Sequence, residues 1–201
     1  MLRPLDLAIR KLDAVVLAAG GSTRLGRPKQ LLSYRGAPLI LRTIRLARHA
    51  VSGRVIVVLG NEQQRLRSLL HRRTDQAIVV NNSNWHRGLA TSLQAGLNRT
   101  SPTASGILIL LVDQAKLKAG DIDLLLARWR KRPARPAAAF YLGGAGAPAV
   151  IPRSLFNEIR SLDGDIGARH LLRRLGDVST VAMPAAEFDV DTPADAAALN
   201  S

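Results

Sequence analysis

Residues 13–32 read "DAVVLAAGGSTRLGRPKQLL". The opening "DAVVLAA" (13–19) is short, continuous, apolar and β-branched, the pattern of a strand buried on both faces. Three glycines, two arginines and one lysine follow within residues 20 to 29. Small residues let a backbone come close to a ligand, and the cations indicate that the ligand is anionic. In an open parallel sheet, ligands bind beyond the carboxyl ends of the strands, so this loop lies where a site is expected.

The same pattern recurs downstream. "RVIVVLG" (54–60), "AIVVN" (77–81) and "GILILLV" (106–112) read as further buried strands bounded by glycine or polar residues. Residues 38–51, 62–72, 89–98 and 121–131 carry apolar residues at helical spacing, the first with Pro38 in its opening turn. Strand and helix alternate, which implies right-handed crossovers and an α/β fold: three layers, Rossmann-like, a mainly parallel sheet with helices on both faces. Residues 137–152 read as a strand, a glycine-rich loop and a short strand ended by Pro152. Helices are expected over 153–162 and 167–176 and a strand over 178–183. A terminal helix over 192–200 has Thr192 as N-cap and Pro193 at its first position.

A chain of 201 residues without a repeat or linker suits one domain, 1–201. The absence of cysteine excludes disulfides and thiolate metal sites and fits a reducing cytoplasm. The N-terminal "MLRPLDLAIRK" has no apolar run long enough for a signal peptide, and no later segment reaches the length of a membrane span, so a soluble cytoplasmic protein is expected. The net charge of +14 would attract polyanions, but 24 of the 29 basic residues are arginine and aromatics are 3%, too few for a base-stacking platform. A solvated basic surface, with no specific nucleic acid and no membrane partner, is the expectation.

The loop is not a dinucleotide fingerprint, because Gly20 and Gly21 are adjacent and Pro28 breaks the stretch where that fingerprint runs into a helix. Nor is it a P-loop, since Arg27 and Pro28 follow Gly26 where Lys-Ser/Thr is required. A third arrangement remains, in which the amides of residues 20 to 24 form a nest for phosphate oxygens beside Arg24 and Lys29. Asp113 ends a strongly apolar strand, where a carboxylate can bridge a hard divalent ion to phosphates. Asp189 and Asp191 flank Val190, so on an extended backbone they point to one side. The four histidines show no ligand spacing, and His86 reads as an exposed neighbour of Trp85.

"LAAGGSTRLGRPKQLL" (17–32) closely resembles the nucleotidyltransferase signature L-A-A-G-x-S-x-R-x-G-x-P-K, and within that superfamily most resembles the molybdenum cofactor cytidylyltransferases. The resemblance implies a glycosyltransferase-A-like fold of the nucleotide-diphospho-sugar transferases, with a nucleotide-binding first half and an acceptor-binding second half. It implies that Leu17, Ala18, Ala19, Gly20, Gly21, Ser22 and Thr23 wrap a triphosphate that Arg24 and Lys29 contact. Ala19 and Pro28 lean towards CTP, because the guanylyltransferase branch typically reads L-A-G-G with an acidic residue before the lysine.

"VVNNSNWHRGLATSLQAGL" (79–97) is similar to V-N-x-x-W-x-x-G-x-x-x-S-L-x-x-G-L, which implies Asn82, Gly88 and Ser92 beside the nucleotide at a helix start. Asp113 takes the family's Mg2+ position. "FDVDTPADAAAL" (188–199) resembles D-x-D-T-P-x-D, where Asp191 is either a second Mg2+ ligand or, with Asp195, a complement to a helix dipole. "DGDIGARHLLRR" (163–174) resembles a segment associated with the acceptor. Two departures stand out. Ala115 and Lys116 occupy the place of a usual proline, and Ala147 stands where the G-H-P-V segment has histidine.

The implied activity is Mg2+-dependent transfer of CMP from CTP to a molybdopterin-type cofactor with release of pyrophosphate. Arg24, Lys29 and Asp113 would carry the chemistry, and the product would go to a molybdoenzyme or its maturation chaperone. The alternatives are another acceptor, such as a sugar or alcohol phosphate, another donor, GTP or ATP, or a non-catalytic cofactor-binding partner of a molybdoenzyme.

Overall fold

The computed structural model describes residues 11–73 and 77–199; residues 1–10 and Asn200 of the expected terminal helix lie outside the described residues. In chain order the elements are β1 (Leu12–Ala18), β2 (Ser33–Tyr34), β3 (Ala37–Pro38), α1 (Leu39–Ala50), β4 (Val55–Leu59), α2 (Gln63–Arg73), β5 (Ala77–Asn81), α3 (Leu89–Leu97) and β6 (Gly106–Leu111). They continue with α4 (Ala119–Lys131), β7 (Ala137–Tyr141), β8 (Gly144–Pro152), α5 (Phe156–Arg160), α6 (Ala168–Leu175), β9 (Ser179–Ala182) and α7 (Pro193–Ala198). Seven strands form one sheet in the order β5-β4-β1-β6-β8-β7-β9, and β2 pairs with β3 in a small hairpin.

β5, β4, β1 and β6 run parallel, whereas β8 is antiparallel to both of its neighbours. The sheet is therefore mainly parallel, as expected. All of β1 is buried, and its side chains alternate between two cores. Ala14, Val16 and Ala18 pack with Leu39, Ile44, Leu66 and Trp129, from α1, α2 and α4. Val15, Leu17 and Ala19 pack with Leu93, Leu97, Phe156 and Leu172, from α3, α5 and α6. The period-2 alternation of a pleated strand thus produces the three layers. After β1 the chain winds outward through β4 and β5, then returns to place β6 on the other side of β1. That reversal of strand order opens a crevice at the carboxyl ends of β1 and β6.

The stretch 137–152 departs from expectation. The anticipated glycine-rich loop is a tight turn at Leu142 and Gly143, both with positive φ (47° and 68°), joining β7 to a nine-residue β8. Positive φ at both central residues suits the right-handed twist of a hairpin. Gly144 and Gly146 belong to the strand itself. At Gly146 a Cβ would come within 2.7 Å of the Tyr141 hydroxyl, so a glycine there admits the tyrosine. The pairing shifts between Ala138 and Ala139, leaving Ala147 and Pro148 unmatched across the ladder. The helix expected over 153–162 begins as a 3₁₀ turn (Arg153–Leu155) before α5.

Candidate active site

A cleft of about 360 Å³ lies at the crevice between β1 and β6, lined in part by Gly20, Gly21, Lys29, Trp85, Ser92 and Asp113. The loop that bounds it is shaped by its own backbone. Ser22 adopts φ 52°, its carbonyl accepts from Leu25 and Gly26 N–H at 3.1 Å each, and its hydroxyl accepts from Lys29 N–H at 3.1 Å. The buried amide of Gln30 donates to the Ala18 and Gly20 carbonyls at 2.8 and 3.1 Å, tying the loop to the strand end. Asn61 Nδ2 donates to Gly21 carbonyl at 3.3 Å. With the carbonyls held this way, the consecutive N–H groups of Gly20, Gly21, Ser22, Thr23 and Arg24 donate to nothing among the described residues. Unspent amides in succession form a concave anion site.

Opposite the loop stand the carboxylates. Asp113 stands two residues past the end of β6, and Val190 N–H donates to its carbonyl at 3.2 Å, bringing the segment 189–191 alongside. Lys29 Nζ sits between Asp113 Oδ2 (2.8 Å) and Asp191 Oδ1 (2.5 Å), and Arg24 Nη2 reaches Asp191 Oδ2 at 2.8 Å. Burial works against the Lys29 ammonium, but Asp113 and then Asp191 outweigh it and raise its pKa above the ordinary lysine value. Asp189 keeps an open face to solvent, yet its carboxyl is pushed up to about 7. Burial is the first cause, followed by Asp113 and Asp191, with Lys29 and Arg169 opposing. Such crowding of like charges calls for a cation.

A divalent ion fits these residues. Asp113 and Asp191 already converge on one positive charge, that of Lys29, and Asp113 Oδ1 is buried without a partner. Two carboxylates completed by substrate phosphates and water are the usual protein share of a magnesium site.

Residues 14–178 match the MobA-like NTP transferase domain. The chain belongs to this family. It is 29% identical over 195 residues to the purine catabolism protein PucB of Bacillus subtilis, covering 90% of this chain and 92% of that protein. It is 30% identical over 176 residues to the molybdenum cofactor guanylyltransferase of Pseudomonas aeruginosa, covering 85% and 84%. Among solved structures, Rv0371c of Mycobacterium tuberculosis superposes with a TM-score of 0.76 at 30% identity over 94% of this chain and 97% of that one. A complex of that mycobacterial protein with manganese superposes at 0.75 with 29% identity, over 94% and 97%. The protein is a nucleotidyltransferase with the expected Rossmann-like fold.

Against this MobA-like frame, the residues singled out in the sequence fall into three groups. Leu17, Ala19, Gly20, Gly21, Lys29, Gly88, Ser92 and Asp113 line the cleft. Ala18 is buried behind it, while Thr23 and Arg24 lie exposed at its mouth, Arg24 turned to Asp191. Asn82 is buried beneath the wall: its Nδ2 donates to Thr91 and Ser92 hydroxyls at 2.8 and 3.0 Å and its carbonyl oxygen accepts from Asn84 N–H. That arrangement braces the start of α3. The helix start is less open than expected, because Ala90 N–H donates to the Gly164 carbonyl at 3.2 Å. Gly88, at φ 110°, allows this contact, since a Cβ there would meet Gly164 at 2.2 Å.

Asp191 and Asp195 separate cleanly. Asp195 Oδ2 accepts from Thr192 N–H and hydroxyl and from Asp191 N–H while Thr192 Oγ1 accepts from Asp195 N–H, a reciprocal cap on α7. The Asp191 carboxylate takes no part in that cap and faces the two cations.

Several cleft residues were not singled out in the sequence. Gln30 directly follows Lys29, and its polar side chain inside an apolar "QLL" was the available signal. Trp85, which by itself reads as a core aromatic, walls the cleft and would lie 3.1 Å from a Cβ at Gly21. His86 is exposed, as expected, and also lines the cleft with its ring edge-on to Trp85. Asp165 reaches the cleft from the loop before α6.

Proposed function

We propose that this nucleotidyltransferase transfers CMP from a magnesium–CTP complex to the terminal phosphate of a molybdopterin-type cofactor, releasing pyrophosphate. The observation that carries the reading is the run of unspent amides from Gly20 to Arg24 facing the Lys29–Asp113–Asp191 cluster. A triphosphate seated in the loop brings its own negative charge to Lys29 and Arg24, which then exchange carboxylate for phosphate partners. Asp113 and Asp191 would hold Mg2+, and the ion would supply charge neutralisation on the transferred and leaving oxygens. The acceptor phosphate is already an anion, so no strong general base is required, and catalysis consists of in-line positioning and charge stabilisation.

The choice of CTP rests on Ala19, which lines the cleft, and on Pro28. The molybdenum cofactor is suggested both by the sequence resemblance and by the Pseudomonas relative, whose name also supports a second reading with GTP as donor. Delivery of the product to a molybdoenzyme or its chaperone follows from the same reading. The test is pyrophosphate release with magnesium and cofactor extracted from a molybdoenzyme, comparing CTP, GTP and ATP. Release with CTP alone supports the proposal, release with GTP alone moves the donor assignment, and no release with any donor rejects this acceptor.

A further inference from the structure

The acceptor in the proposed reaction is an anion, and Asp113, Asp189 and Asp191 crowd like charge beside the cleft, so a separate cation is needed to receive it. The loop cations Lys29 and Arg24, paired with Asp113 and Asp191 here, are committed to the triphosphate in the proposed complex. Arg169, in the first turn of α6, stands on the other side of this group. Its guanidinium lies over the Tyr141 ring, 5.1 Å from the centroid, and its charge acts on both Tyr141 and Asp189. Among the described residues it forms no ion pair within 4.0 Å. Its Nε is buried and unpartnered, and its hydrogen bond to the Tyr141 carbonyl is long, at 3.4 Å. A guanidinium whose plane is set by an aromatic ring, with its donors largely unspent, is suited to bidentate capture of phosphate.

Tyr141 adds a second donor. Its hydroxyl lies 3.3 Å from Gln114 Nε2, whose two hydrogens are taken by shorter bonds to carbonyls, and it donates to nothing among the described residues. Gln114 is itself fixed, donating to the carbonyls of Ala147 and Ala186 at 2.9 Å each. Burial, then Asp189, raises the tyrosine pKa above its ordinary value, with Arg169 and Gln114 opposing, so the phenol keeps its proton. The hydroxyl rests against Gly146, next to the position where Ala147 supplies no donor.

We propose that Arg169 and Tyr141 form the acceptor-phosphate clamp of this protein, across the carboxylates from the triphosphate loop, and provide the donors that Ala147 lacks. The inference rests on the reading of the acceptor as a phosphate; no bond is made or broken within the clamp.

Calorimetric titration with phenyl phosphate tests it directly, with the loop occupied by saturating magnesium tripolyphosphate. Arg169→Gln is expected to weaken phenyl phosphate binding by roughly 10- to 100-fold, the scale of hydrogen bonds to a charged group. Tyr141→Phe keeps the ring beneath Arg169 and is expected to weaken binding by about 3- to 10-fold, the scale of one neutral hydrogen bond. Arg128→Gln, an exposed change on α4, controls for the general attraction of a chain with net charge +14 and is expected to leave binding within about twofold. Equal affinity in wild type and Arg169→Gln, an equal loss in Arg128→Gln, or no binding by wild type overturns the clamp. Pyrophosphate release by wild type with extracted cofactor is judged separately. Its absence refutes the functional reading, while the phenyl phosphate titration still decides the clamp. Where release occurs, Arg169→Gln raises the acceptor KM and leaves the KM for the nucleotide unchanged; an unchanged acceptor KM overturns the proposal.

Discussion

On one side of Asp113, the loop of residues 20–29 presents consecutive backbone amides from a single strand end. On the other side, Tyr141, Arg169 and Asp189 arrive from β7, α6 and the segment before α7, far apart in sequence. In the proposed complex the first side would bind with main chain and two cations, and the second with side chains alone. A backbone site depends on a local conformation that glycine, a left-handed Ser22 and an anchoring Gln30 impose. A side-chain site depends on packing between elements, so it can change donor identity without disturbing the loop.

The contrast is sharpest at the carboxylate shared by both sides. Asp113→Asn is expected to lower kcat by about 10²-fold or more, the scale of losing a preorganised charge-stabilising group, with an unchanged Tm. A rate within a few-fold of wild type would remove Asp113 from the chemistry and leave the two sides without a common centre. Next in size, Gly88→Ala places a Cβ on the Gly164 backbone at φ 110° and should cost about 3 kcal/mol in a denaturant titration. A smaller loss, under about 1 kcal/mol, would mean that the contact between α3 and the loop before α6 is dispensable.

Ala147→His tests whether the second side has moved its donors elsewhere. Ala147 is 5% exposed and packed, so an inserted imidazole is expected to cost about 1–3 kcal/mol of stability without lowering the acceptor KM. A lower acceptor KM would show that a donor at this position still serves the acceptor. The smallest effect is expected from Arg24→Ala. This exposed arginine should contribute roughly tenfold to nucleotide affinity, read as KM, because solvent screens its charge. A loss equal to that of Asp113→Asn would mean that side-chain charge, not backbone, dominates the loop.

The first side is legible in the chain because its determinants are contiguous. "LAAGGSTRLGRPK" carries the strand end, the turn residues and the cations in one string, and the three-layer order follows from the alternation of β-branched and helical segments. The segment 137–152 misleads because glycine reads as a loop marker, whereas Gly146 serves to admit Tyr141. Asn82 goes to the nucleotide by its place in a motif; buried hydrogen bonds to Thr91 and Ser92 show a bracing contact that spacing alone does not distinguish.

The α/β layering, the glycine-rich turn after β1 and the place of Asp113 just past β6 follow from the chain alone, since each depends on residues within a few positions of one another. Only tertiary packing places Lys29 between Asp113 and Asp191, 84 and 162 residues away, and sets Arg169 over the Tyr141 ring with its Nε unpartnered. Local propensity acts over one turn or one strand pair. Charges and donors from separate elements meet only where the packed sheet and helices bring them together.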